Sequence, residues 1–193
     1  LSDINTDWND ILFRNTFNQE YNVSVSGGGD QATYYTSLGF YDEKGNVTGV
    51  GTNRFNITSK IQYKFSDKFK VGASVFANTR KSTTYLPDNN GITNPVRYSR
   101  IANPYQEIYD ADGNYIYDTD IQYFKDDATL DFNIFEERNN TSNERTSKSV
   151  TAMFDMDYRP IEDLKFYTQV GLQSDNATIT KIALNDSYAM RVE

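Results

Sequence analysis

The feature that most constrains this chain is a two-residue alternation running through residues 54–65 and 69–80 and returning at 150–159 and 164–173. In the first pair, Phe55, Ile57, Ser59, Ile61, Tyr63 and Phe65 share one side, followed by Phe69, Val71, Ala73, Val75 and Ala77. Val150, Ala152, Phe154, Met156 and Tyr158 repeat the pattern, as do Leu164, Phe166, Thr168, Val170 and Leu172. Successive strand side chains point to opposite faces, so each set lines one face of a sheet. The first face carries no charge. The second carries Arg54, Lys60, Lys64, Lys70, Arg80, Asp155, Asp157, Arg159 and Lys165. Two unlike faces mean a sheet wetted on one side only, since a strand buried on both would be apolar throughout.

The alternation predicts six strands, at 19–26, 31–41, 53–65, 69–80, 148–159 and 164–177. Ahead of them, "TDWNDILFRN" suits a short helical turn with Thr6 as its cap and Trp8, Ile11 and Leu12 on one side. The strands join through "GGGD", "SDK" and "PIED", all tight and all in the same phase. The connections of the opposite phase are longer: about eleven residues over 42–52 and roughly 67 over 81–147, a length uncommon inside a compact domain. Short turns at one rim and long loops at the other are the plan of an up-and-down membrane barrel. Tyr21, Tyr41, Phe65, Phe69, Tyr158 and Phe166 fall near strand ends, where a barrel carries aromatic girdles. A soluble β-sandwich, such as a secreted carbohydrate-binding or adhesive module, also alternates. It would turn the same apolar face onto a second sheet, so alternation alone leaves both architectures open.

Composition narrows the chemistry. Fifteen Tyr and twelve Phe accompany a modest apolar content, as expected of β structure with wet or interfacial surfaces. The chain has no His and no Cys, which removes the commonest general base, the commonest metal ligand and all thiol chemistry. A net charge of −8 argues against nucleic acid. No apolar run reaches the ~18–20 residues of a spanning helix. The opening Leu1-Ser2-Asp3 shows no basic-then-apolar lead, so in an exported protein this chain is expected to be mature, internal sequence.

Several motifs carry a resemblance. "TDWNDILFRNTFNQEYNVSVSGGGDQATYYTSLGFYDEKGNVTG" contains Thr6-Asp7-Trp8, Ser24-Val25-Ser26-Gly27-Gly28 and Tyr34-Tyr35-Thr36-Ser37-Leu38-Gly39-Phe40. It resembles the hallmark stretch of the SusC/RagA-type TonB-dependent transporters of Bacteroidetes. "RFNITSKIQYKFSDKFKVGASVFANTRK" resembles the family's next hairpin, and "NPVRYSRIANPYQEIYDADGNY" one of its loops. The resemblance is specific over 6–80, fair over 94–117 and only architectural over 148–177. It implies an all-β, antiparallel up-and-down meander forming part of a transmembrane β-barrel in the bacterial outer membrane, with one long outer loop. It implies import of bulky nutrients, glycans or peptides; with no His, no Cys and no convincing acid/base pair, transport and not catalysis is expected, with no cofactor or metal. The implied partners are a SusD-like surface lipoprotein, membrane lipid and TonB, the last contacted through parts of the parent protein outside this chain. On this plan 1–18 is a lead-in, 19–80 holds two hairpins and 81–147 is a long extracellular loop. A third hairpin follows at 148–177, and 178–193 starts the next loop.

Individual sites read modestly. "GGGD" lies between two strands, so a hairpin turn is expected and not a phosphate-cradling loop, with positive φ as the reason for glycine. "DADGN", at 110–114, suits an Asx turn better than a calcium loop. Asp155 and Asp157 share the polar face with Arg159, and ion pairing explains them better than glycoside chemistry. In the long loop, Tyr85, Tyr98, Tyr105, Tyr109, Tyr115, Tyr117 and Tyr123 lie among hydrogen-bonding residues. Of these, Tyr98, Tyr105, Tyr109, Tyr115 and Tyr117, with Arg100, are the candidate contacts for substrate or partner. Aromatic platforms suit sugar rings, peptide side chains or protein interfaces, and loop self-packing is the competing explanation.

Overall fold

A computed structural model describes residues 4–87, 91–117 and 132–191. Six strands form one antiparallel sheet in the order β1-β2-β3-β4-β5-β6: β1 Gln19–Gly28, β2 Ala32–Lys44, β3 Gly51–Ser66, β4 Phe69–Thr84, β5 Thr141–Ile161 and β6 Leu164–Ala183. Every strand pairs with its neighbour in sequence. The tight turns all lie at one end and the long connections at the other. Register shifts between Lys64 and Ser66, and between Tyr158 and Ile161, sit beside two of the tight turns.

The register carries the apolar face across the whole sheet. Val23 pairs with Leu38, Leu38 with Ile57, Ile57 with Ala77 and Ala77 with Val150. A second row joins Tyr34, Ile61, Ala73, Phe154 and Val170. No second sheet covers this face among the described residues, and Ile61, Phe154 and Val170 are 53%, 50% and 60% exposed. A polar pair in mid-band satisfies itself: Thr36 and Ser59 hydroxyls lie 3.2 Å apart. Along β3 the band runs from Phe55 to Phe65, about 33 Å at ~3.3 Å per residue. Tilted by ~40°, that is about 25 Å of height, the thickness of a barrel's apolar belt.

Aromatic rings edge this band. At the tight-turn rim, Phe65 and Phe69 centroids lie 5.4 Å apart, Phe69 and Tyr158 6.1 Å, and Tyr158 and Phe166 6.5 Å. At the other rim Tyr21 pairs with Phe40 and Phe40 with Phe55. Tyr41 does not join that girdle. Its position is one residue out of phase, so it faces the polar side, where the Arg54 guanidinium lies 5.3 Å from its ring centroid.

The strands outrun the expected ends at the long-loop rim. β4 continues through Ser82, Thr83 and Thr84, and β5 starts at Thr141, not near 148. Above the apolar band both faces are polar, so the alternation disappears from the sequence while Thr keeps the backbone extended. The expected 81–147 loop therefore contains strand at both ends, and its Tyr123 lies outside the described residues.

Among the described residues, four short helices occupy the long-loop rim: α1 Trp8–Leu12, α2 Pro95–Ile101, α3 Ile134–Asn140 and α4 Tyr188–Arg191. Asp7, not Thr6, caps α1, its carboxylate accepting from the amides of Asn9 and Asp10. Thr6 instead donates its hydroxyl to the Gln106 carbonyl at 2.6 Å. Asn94 and Asn133 cap α2 and α3 in the same way. The buried core of the described residues lies among these helices and their connections, in Trp8, Leu12, Ile92, Tyr98, Phe132, Ile134 and Tyr188, with no strand residue in it.

Candidate functional site

The candidate site is the polar face of the sheet together with the loop layer above it. On the polar face, side chains lean across neighbouring strands. Lys60 lies 5.3 Å from the Phe76 ring centroid, and Arg54 reaches Glu20 at 3.9 Å. Asp157 pairs with Lys165 at 3.0 Å and Arg159 at 3.4 Å, so this carboxylate is held by charge partners as the local sequence suggests. Asp155 lies instead over Gly72, where a Cβ would meet its carboxylate carbon at 2.7 Å. Gly39 of the Ser-Leu-Gly motif makes similar room: a Cβ there would lie 2.6 Å from Asn22 Oδ1 and 2.7 Å from Asn56 Nδ2. Small residues thus let polar side chains from adjacent strands close over the backbone, and the face is a polar wall with a few aromatic and cationic anchors.

In the first tight turn Gly28 also needs to be glycine for room. Gly28 has φ 159°, close to extended backbone, so the expected positive φ is not the reason. A Cβ there would run into the backbone of Ala32 and Thr33, with Thr33 Cα only 2.8 Å away.

The loop layer is built around interlocking aromatics. Tyr98 is 2% exposed and meets Trp8 edge to face at 5.2 Å, with Phe132 at 5.6 Å. Trp8 Nε1 donates to the Asn103 carbonyl at 3.0 Å. Tyr117 donates its hydroxyl to Glu136 Oε1 at 3.0 Å; Arg191 binds Glu136 Oε2 at 2.8 Å and lies over the Tyr117 ring. Glu137 accepts from the Tyr188 amide at 2.7 Å, tying α4 to α3. Arg138 donates to the Thr48 carbonyl; burial, then the nearby Arg14, pulls its pKa below the usual guanidinium value.

The candidate residues of the loop separate into two groups. Tyr98 and Tyr117 belong to the packing of the layer. Tyr105 and Tyr109 are exposed, as is Arg100 in the last turn of α2. Tyr109 and Tyr115 rings lie 5.2 Å apart across a two-residue bridge, and Asn139 donates to the Tyr115 hydroxyl at 2.9 Å. Partial loss of solvent around its hydroxyl pushes the Tyr109 phenol up, with Tyr115 adding to the shift. Between them, the Asp110 carboxylate accepts from the amides of Asp112 and Asn114 at 2.9 and 2.8 Å and from the Asn114 side chain at 3.0 Å. Gly113 sits at φ 86° in this Asx turn. Asn133, Glu136 and Arg191 are organising residues that sequence reading missed, while Trp8 was read only as part of the helical turn and its motif. The caps Asn94 and Asn133, each directly before a short helix, were the available signal.

No family model matches the chain. It is similar to "TonB-dependent receptor P3" of Formosa agariphila, 29% identical over 185 residues that cover 92% of this chain and 17% of that protein. It is also similar to "TonB-dependent receptor SusC" of Bacteroides thetaiotaomicron, 30% identical over 41% of this chain and 9% of that protein. Among solved structures, one described as the RagAB peptide transporter superposes with a TM-score of 0.70. It is 18% identical, covering 93% of this chain and 20% of the matched chain. The chain thus spans about a fifth or less of the relatives it matches.

Proposed function

We propose, from the premise that this chain is SusC/RagA-type TonB-dependent receptor β-barrel sequence, that it forms wall and outer mouth of an outer-membrane importer of bulky nutrients. The observation that carries this reading is the uncharged band, continuous in register across all six strands and left uncovered on its outer side. Lipid covers such a face, and the opposite face then lines a hydrated lumen. A soluble sandwich is not favoured, because all six strands lie in one sheet.

The chain works in transport and not catalysis, and its place is the bacterial outer membrane. The substrate is a glycan or a peptide, passed with the help of a SusD-like surface lipoprotein and driven through TonB by other parts of the parent protein. Within the mouth, Tyr105, Tyr109, Tyr115 and Arg100 supply the surface met by substrate or lipoprotein, while Tyr98 and Tyr117 keep that surface in place. The SusC and RagAB likenesses support the transport reading, and the exposure of Tyr105, Tyr109 and Arg100 supports their place at the mouth.

The test is membrane assembly of the full-length receptor with lysine at both Ile61 and Phe154. A wall facing lipid loses assembly, whereas normal assembly in the outer membrane overturns the facing.

A further inference from the structure

Just above the apolar band, on its outward side, lies a cavity of about 280 Å³ whose charged lining is Arg14, Lys44 and Lys81 together with Asp42 and Glu43. The register fixes its side. Asp42 pairs with Asn53 and Asn53 with Lys81, one step beyond Phe40 and Phe55 on the same face. Lys44, Gly51 and Thr83 form the next step. Two residues along a tilted strand are about 5 Å of height, so the cavity opens where hydrocarbon gives way to headgroups. The lead-in segment completes it. Arg14 is fastened by its amide to the Asn46 carbonyl at 2.8 Å and by Nε to the Gly45 carbonyl at 3.4 Å. Phe17, three residues on, is 75% exposed.

The charges of the cavity are unevenly answered. Lys81 binds Glu144 at 2.7 Å. The Asn53 amide faces Asp42 Oδ1 at 2.6 Å, a spacing that fits Nδ2 as donor, and Glu43 accepts from the Tyr41 hydroxyl at 3.3 Å. Arg14 and Lys44 have no carboxylate within ion-pair distance among the described residues. Two unanswered cations and a third nearby, at headgroup height on the lipid side of the wall, match an anionic headgroup. They lie on the opposite face from the lumen.

We propose that Arg14, Lys44 and Lys81 bind the phosphate of a phosphorylated outer-leaflet glycolipid, with Phe17 set into the acyl boundary beside it. The site rests on the membrane-wall reading above. A guanidinium and two ammoniums surround the phosphate, and the band below receives the acyl chains.

The experiment uses the full-length receptor, delipidated in detergent and titrated with diphosphorylated lipid A and with its dephosphorylated form, read by native mass spectrometry. Heat-modifiable electrophoretic mobility selects folded protein. The phosphorylated form binds at least tenfold more tightly. Arg14→Gln with Lys44→Gln weakens it about fivefold per charge removed, from about 1 kcal/mol per basic residue at an anionic surface, and leaves the dephosphorylated form unchanged. Lys70→Gln, at the other rim and on the other face, has no effect. Equal binding of the two lipids, or an unchanged double variant, overturns the site. Displacement by inorganic phosphate at matched concentration also overturns it, since a small-anion pocket would then suffice. If the double variant does not fold, the lipid comparison on the unaltered receptor decides alone. Normal assembly with lysine at Ile61 and Phe154 would defeat the membrane reading itself; a flat lipid comparison without it defeats only the headgroup site.

Discussion

Trp8 and Tyr98 meet edge to face at 5.2 Å, joining the segment before the first strand to the loop after the fourth. The contact makes the outer layer one packed unit, because Trp8 also binds the Asn103 carbonyl and Tyr98 packs at a tilt against Phe132. Trp8→Ala should therefore loosen both segments together. The expected cost is about 3–5 kcal/mol, as for a large buried aromatic, borne by the loop layer and not the sheet. Limited proteolysis of the assembled receptor checks it: cleavage should appear in both 4–18 and 91–117, while the barrel stays heat-modifiable. Cleavage in one segment alone would mean the two are independent.

Ile61 and Phe154 flank Ala73 on the uncovered face. Each lysine there should cost about 2–4 kcal/mol near mid-membrane. Lysine at Gln62, one residue along on the polar face, should be tolerated. Outer-membrane yield of the three variants gives the comparison, and equal yields would remove the distinction between the faces.

Gly28→Ala should destabilise the first hairpin by about 1–3 kcal/mol, because the new Cβ meets backbone and not a movable side-chain end. Gly29→Ala, with open space at its Cβ, should cost far less. Urea unfolding of the receptor in lipid vesicles would rank the two, and an inverted order would contradict the turn geometry.

Asp110 titrates with a depressed pKa, chiefly through the Asn114 side chain and then its amide. A depressed folded value means the charged form is the bound one. Its support of the turn is therefore complete above the ordinary aspartate range and is lost as pH falls through the depressed folded pKa. Amide exchange at Asp112 and Asn114, corrected for intrinsic rates, should show steady protection from neutral pH down through about pH 4. Protection should disappear below that, and should be absent at every pH in Asp110→Ala. Loss of protection already near pH 6 would contradict the assignment.

The isolated chain should need detergent. β1 and β6 are each paired on one side only among the described residues, and the apolar face is bare. Size-exclusion chromatography with light scattering should show aggregates in plain buffer. A monodisperse, cooperatively melting monomer there would mean that the face has found cover.

The wall was legible because alternation is a local signal. Ile57, Ile61, Val75, Phe154 and Val170 declare their face through their immediate neighbours, and tight turns in one phase declare the meander. The reading stopped where that signal stops, at Ser82 to Thr84 and at 141–147, where strand continues with polar residues on both sides. It also misassigned Tyr41, whose face depends on register by a single residue, and Thr6, whose hydroxyl is taken by Gln106 far along the chain. The sequence by itself determined the period, the two unlike faces and the phase of the turns, since each depends on residues a few positions apart. Tertiary structure alone decided the rest. Tyr98 became core while Tyr105 stayed at the surface, and Arg14 came beside Lys44 and Lys81. Those outcomes depend on contacts between segments distant in sequence, which no local pattern encodes.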